Sequence, residues 1–320
     1  MSSVTVLARQ ISEVNRQIAV LEDEAIQYPD DRMVQYEAAS FRKRQTDLVE
    51  QFDITVRELG VAVCKYRLFG VAEKAFGKVC QTIAEFQRLY TLVFSAIKSG
   101  KRTRRQAPVE DERLSAFGFA YTFAGSIGVT LTLAQQRSLF DEEAEDNQFD
   151  EAMGTLCDLA KLDSTEKIKQ YAADLGVGVI RELYAWSNMH AEFSLGADIE
   201  WMHGRNITRS VLVQPQEMAR LRSAIEMTSD VKEEPPFTVT GQLLGADIKP
   251  PTFHFKVEGG EEIRGTFTDA ITVSHPLPGF PLQCSVEVFR KTIVKYATDE
   301  ENSTWHLLKL TPTTPPSNQP

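Results

Sequence analysis

The sequence predicts an α+β, multidomain protein. It reads as an N-terminal antiparallel helical hairpin of coiled-coil type, a central α+β domain with β-hairpins, and a small C-terminal β-barrel of SH3-like or OB-like type. Three observations predict this order. The first 60 residues carry a heptad-spaced apolar stripe, residues 114–136 are charge-free and alternate large with small side chains, and short β-rich segments follow one another after residue 236. The expected boundaries are 1–60 for the helical hairpin, 61–230 for the α+β domain, 231–236 for a linker, 237–311 for the barrel and 312–320 for a disordered tail.

In the first helix, Leu7, Ile11, Val14, Ile18, Leu21 and Ala25 recur at alternating spacings of four and three, a heptad a/d stripe. Tyr28-Pro29-Asp30-Asp31 breaks it, because the residue before a proline is driven out of the helical region. A second helix runs to about Leu59 with Val34, Ala38, Phe41, Leu48, Phe52, Val56 and Leu59 on one face, interrupted by Gln45. Two helices joined by a short loop pack antiparallel. About three heptads are marginal in isolation, so this hairpin needs a surface to pack on, either its own body or a second copy. The reading at this level is homo-oligomerisation through Leu7, Ile11, Val14, Ile18, Leu21, Phe41, Leu48 and Phe52.

Val61 to Phe69 reads as a strand rich in β-branched and aromatic residues. Lys74 to Ser99 is an amphipathic helix with a broad apolar face, Phe76, Val79, Cys80, Ile83, Phe86, Tyr90, Val93, Phe94 and Ile97. In 114–136, Phe117, Phe119, Tyr121 and Phe123 alternate with small residues, and Ile127, Val129, Leu131 and Leu133 do the same. Period two specifies strands, so this is a β-hairpin turning at Gly125-Ser126, expected at the centre of the domain. An acidic loop over Asp141–Asp146, a helix over Phe149–Leu162 and one helix from Ile168 through Val179 to Trp186 follow, the last opened by an Asp163/Glu166 capping box. Strands at 198–202 and 207–213 turn at His203-Gly204-Arg205-Asn206, and Pro215 opens a closing helix. The barrel strands are expected at 237–244, 252–257, 262–267, 283–289, 292–298 and 304–310, with Pro276–Pro281 as a rigid binding lip.

Net charge is −10, unevenly spread. Residues 61–107 hold ten basic and two acidic residues, whereas 108–235 hold 11 basic and 23 acidic. Lys98, Lys101, Arg102, Arg104 and Arg105 form the candidate polyanion site, since clustered cations supply most of the attraction for phosphates. No Walker, dinucleotide-binding, His-Glu-x-x-His or Gly-x-Ser-x-Gly motif is present, and Gly125-Ser126-Ile127-Gly128 reads as a turn rather than a nucleophile. The histidines His190, His203, His254, His275 and His306 lack local metal-ligand spacing, although His190 with Glu192 and His203 suggests one candidate metal or acid/base site. No cofactor, metal or catalytic residue is expected. The cysteines Cys64, Cys80, Cys157 and Cys284 read as reduced, mostly buried thiols of a cytoplasmic protein, and the N-terminus shows no signal peptide.

The leading expectation is a non-enzymatic assembly or recognition protein with a protein partner. Such a chain suits an accessory or sensor subunit of a bacterial multi-component system, for instance phage defence. The alternatives are a nucleic-acid- or nucleotide-binding protein using 98–105, a membrane-inserting protein using 114–136, and a metal-dependent hydrolase assembled by the fold.

Overall fold

The computed structural model describes residues 3–70, 76–100, 106–123, 127–133, 142–204, 207–267, 280–298 and 300–313. Among them are eight helices and two sheets, an α+β protein with a closed five-stranded barrel at its C-terminal end. The chain divides into a body, Met1–Thr228, and a second unit, Ser229–Pro320.

The body opens with α1 (Ser3–Gln27) and α2 (Arg32–Glu58), the latter capped by the Asp31 carboxylate accepting from the Met33 amide at 2.8 Å. Their apolar stripes are already occupied. Ile11, Val14, Ile18, Leu48 and Phe52 form one buried cluster with Val63, Tyr121 and Met202, and Leu7 and Phe41 pack against it. Leu21 is buried as well. The residues expected to drive oligomerisation are therefore spent within the chain, because a hairpin too short to stand alone lies on the sheet. Gln45, which breaks the stripe, donates to Asn15 at 2.7 Å, and Asn15 donates to the Thr122 carbonyl at 2.5 Å. That polar link fixes the register of the hairpin against the sheet. At the far end the hairpin tip exposes Ile26, Tyr28, Met33 and Tyr36.

The sheet contains β1 (Ala62–Phe69), β2 (Phe117–Thr122), β3 (Ile127–Leu133), β4 (Gly196–His203) and β5 (Ile207–Val213), in the order β2-β3-β1-β4-β5 and antiparallel throughout. The central strand is β1, not the 114–136 hairpin, whose first strand lies at the edge. β1 is buried over most of its length, with Cys64 and Tyr66 at 0% exposure, as its near-continuous apolar run demands. The hairpin also starts later than expected. Val109–Leu114 form a short helix, α4, and the turn at 124–126 lies outside the described residues. A bulge between Phe119 and Tyr121 shifts the pairing of β2 with β3 by one residue. Because side chains alternate, one extra residue sends Tyr121 to the opposite face from Phe117. Tyr121 then meets Phe52 edge-on at 5.2 Å, and Phe117 stacks on Tyr90 across the other face.

That other face is covered by α3 (Phe76–Ser99), α5 (Glu142–Leu159) and α7 (Val177–Glu192), and α6 (Thr165–Leu175) and α8 (Pro215–Glu226) pack on α7. Residues 91–96 of α3 are all buried, so this stretch of the helix is enclosed on every side, while Arg88 and the first turns reach the surface. Cys80 departs from the expectation and is exposed. The acidic segment continues into helix, since α5 begins at Glu142 rather than after a loop; helix N-termini favour acidic residues. The single helix expected across 168–186 is two, because Gly176 takes φ 104° and ψ 152°, a backbone region only glycine occupies easily. Ser164, not Asp163, caps α6, accepting from the Lys167 amide, while Asp163 pairs with the Lys167 ammonium at 3.0 Å.

The second unit has β6 (Ser229–Glu233), β7 (Phe237–Ile248), β8 (Pro251–Val257), β9 (Glu262–Phe267), β10 (Leu282–Lys295) and β11 (Glu301–Pro312). Residues 231–233 of the expected linker belong to β6, which pairs with β10. The two strands expected at 283–289 and 292–298 are one, because β10 runs unbroken alongside β11 and hands its other edge from β7 to β6. Pro312, expected in the tail, ends β11; residues 314–320 lie outside the described part. Strand order is β7-β8-β9-β11-β10, and β10 closes the ring on β7; β9 and β11 are the parallel pair. The interior holds Leu243, Phe253, Phe255, Ile263, Val286 and Val288. Gly265 permits the closure, since a Cβ there would lie 2.1 Å from the Trp305 carbonyl oxygen.

Candidate functional site

The outer face of the barrel carries a row of polar and aromatic side chains that follows from strand parity. Phe253, Phe255 and Ile263 point inward, so Thr252, His254, Arg264 and Thr266 point outward. Register pairs Asp247 with Thr252, Thr252 with Thr266, Thr266 with His306 and His306 with Phe289. One row therefore crosses all five strands. Thr266 Oγ1 meets His306 Nδ1 at 3.1 Å, and the His306 ring stacks on Phe289 at 4.8 Å and 18°.

The adjacent row holds His254 and Arg264 directly opposite each other. His254 Nε2 donates to the Glu262 carboxylate at 2.9 Å, and that bond first, with the charges of His254 and Arg264 behind it, holds Glu262 below its ordinary range. The Arg264 guanidinium lies 3.7 Å from the same carboxylate, yet its side chain is 74% exposed. Most of its donor capacity thus faces water. A depression of about 760 Å³ lies on this face, lined by Asp247, Thr252, His254, Arg264, Thr266 and Phe280 among others. Phe280 is the described end of the proline-rich lip, and its ring is half-exposed; residues 276–279 lie outside the described part.

The body's polar groups are arranged differently. His190 Nδ1 donates to the Leu195 carbonyl at 3.1 Å, which leaves Nε2 to accept from the Tyr66 hydroxyl at 2.8 Å. The Tyr66 oxygen in turn accepts from Trp186 Nε1 at 2.9 Å. All three residues are at 0% exposure, and burial pulls the His190 pKa down to about 4. Asp150 accepts from Trp201 Nε1 at 2.6 Å and from His203 Nδ1 at 2.9 Å. His190 and His203 thus serve separate networks, and Glu192 is exposed, so the candidate metal or acid/base trio does not assemble. Among the described residues no group of three possible ligands converges on a metal position. Burial likewise pushes the Cys64 thiol far above its ordinary value, which makes it inert.

Of the basic block, Lys98 pairs with the buried Asp111 at 2.9 Å, and Asp111 also accepts from Ser95 at 2.7 Å. Lys101, Arg102, Arg104 and Arg105 lie outside the described residues. Among the described residues no helix is long and apolar enough to cross a membrane. Of the 114–136 stretch, Phe117–Thr122 and Ile127–Leu133 are built into the sheet as β2 and β3, β3 pairing on both sides.

Sequence reading did not single out the barrel rows. Their signal was present in the alternation of His254 and Lys256 with Phe253 and Phe255, and of Glu262 and Arg264 with Ile263. Only the register shows that these residues share a face with Thr266 and His306. Comparison of the chain with protein-family models, curated proteins and solved structures finds no match.

Proposed function

We propose that this chain is a non-enzymatic recognition protein whose C-terminal barrel is of the OB type and binds single-stranded nucleic acid on the outer face of β7, β8 and β9. The connectivity supports the barrel type. An up-and-down barrel keeps sequence neighbours adjacent, whereas β9 and β10 are separated here by β11, a Greek-key arrangement with one parallel pair. In OB barrels the face of the second and third strands takes oligonucleotides. Fold analogy alone is a weak warrant, and the observation that carries this reading is local. The depression sits on those strands and brings the open Arg264 guanidinium beside His254 and the half-exposed Phe280 ring. Such a combination of cation and aromatic ring grips a backbone phosphate and stacks a base.

The helical hairpin, a short coiled coil in this reading, has the sheet as its partner and serves to hold the body together. The accessory-subunit role, the cytoplasmic location and any self-association are proposals that use other surfaces than the heptad stripe. Light scattering giving a monomer at micromolar concentration removes self-association.

The test of the main reading is fluorescence anisotropy of a labelled 16-nucleotide single strand across a salt series. Binding at low salt that weakens as salt rises, and weakens by roughly tenfold in Arg264→Ala, is the expected result. Equal binding by parent and variant, or none at low salt, rejects it.

A further inference from the structure

We infer that the body holds a separate small-molecule site, in the cleft between α3, α7 and residues 106–117, shaped for a planar aromatic ring that carries an anionic group. The cleft has a volume of about 860 Å³ and is lined by Gln87, Arg88, Gln106, Phe117, Arg181 and Glu182 among others. Small-molecule sites occupy about 300–1,000 Å³ and combine an apolar surface with a few placed polar groups.

The floor is Phe117, at the start of the edge strand β2 and half-buried. One side of its ring is backed by Tyr90 at 4.8 Å and 30°, and Phe86 lies parallel at 6.1 Å. The edge of Trp201 closes a further side at 6.3 Å. Phe117 is only half-buried and lines the cleft, where a flat ring can pack against it as in an offset or edge-on aromatic pair. The ring does not need to be ordered by the ligand. The Gln87 amide accepts from the Phe117 backbone N–H at 2.8 Å and donates to the Ser115 carbonyl and to Thr91, both at 3.0 Å. Both donor hydrogens of the Gln87 amide and one acceptor position of its oxygen are thus engaged in fixing the strand that presents the ring, which lowers the cost of binding.

The wall supplies the charge. Arg88 pairs with the buried Glu85, and its side chain is still 59% exposed, so guanidinium donors remain for an incoming anion. Glu182 lines the same wall and is held above its ordinary range by burial, against the opposing charge of Arg88.

A nucleotide and an aromatic carboxylate present the same chemistry, and the experiment separates them. The thermal transition of the full chain is recorded with AMP, with UMP, with indole-3-acetate, and with adenosine and inorganic phosphate as the two halves of the first. At one hundred times its Kd, an aromatic anion is expected to raise Tm by about 5 °C or more. Adenosine and phosphate, each offering half of the contacts, should shift it by much less. Stabilisation by AMP or UMP assigns a nucleotide, and by indole-3-acetate alone an aromatic carboxylate. Arg88→Ala should weaken binding by roughly tenfold or more. Phe117→Leu keeps the apolar volume and should weaken it without unfolding the chain, so loss of the Glu85 partner in the first variant does not leave the question open. No binding by any of the three aromatic anions up to millimolar concentration overturns the inference, as does binding that survives in both variants.

Discussion

His190 in the body and His254 on the barrel make hydrogen bonds of nearly the same length, 2.8 Å to Tyr66 and 2.9 Å to Glu262. They do opposite work. His190 sits in a closed chain of bonds with both ring nitrogens engaged and no exposed surface, so the network specifies one packing of β1 against α7 and has nothing left to offer a ligand. His254 stands beside an open arginine in a surface depression, and its network keeps spare donors. Hydrogen-bond length does not distinguish a closed network from an open one. Access to water does.

The largest effect expected concerns the closed region. Phe52→Ala empties the contact among hairpin, Tyr121 and Val63, and should cost about 3–5 kcal/mol in denaturant unfolding. A loss below about 1 kcal/mol would mean that the hairpin is not docked on the sheet. The closed histidine should come next. Its folded-state pKa of about 4 lies below the ordinary 6.5, so the unfolded chain takes up the proton first as pH falls. Stability from this group is complete above pH 6.5 and is lost towards pH 4, to a total of about 3 kcal/mol. Urea unfolding at pH 7 and pH 4.5 should show a smaller difference for His190→Gln than for the parent. Equal differences in the two would show that the buried ring does not carry this loss.

Gly176→Ala is expected to cost about 1–3 kcal/mol, because alanine does not fit the backbone angles that separate α6 from α7. An unchanged transition would show that the two helices can merge into the single one the apolar periodicity suggests. The smallest effect on stability should come from the open region. Arg264→Ala should change unfolding by no more than about 0.5 kcal/mol while weakening oligonucleotide binding. Stability and binding are separable there only if the arginine's donors face solvent.

Much of the architecture was legible. The heptad stripe located both hairpin helices, period two located β2 and β3, Pro215 marked the start of α8, and the glycine-punctuated run announced the barrel. These are local signals, written by side-chain spacing and by backbone restrictions. The errors share a cause. The bulge at Ala120, the fusion of two expected strands into β10 and the break at Gly176 each depend on what lies across from the residue, which spacing does not contain. The heptad stripe was read correctly as a surface to be buried, but what buries it is the sheet. The site was less legible still, since Thr252, Thr266, His306 and Phe289 come from four strands and become a row only through register.

The sequence by itself determined which segments are helical or extended, which faces must leave water, and that no familiar catalytic motif is present. Tertiary structure decided which surface each apolar face found, that β1 rather than the 114–136 hairpin is central, and which polar residues stand together in the open. The physical reason is that burial is demanded by composition and period, whereas partners are chosen by long-range pairing. That choice closed the circuit around His190 and left the one around His254 open.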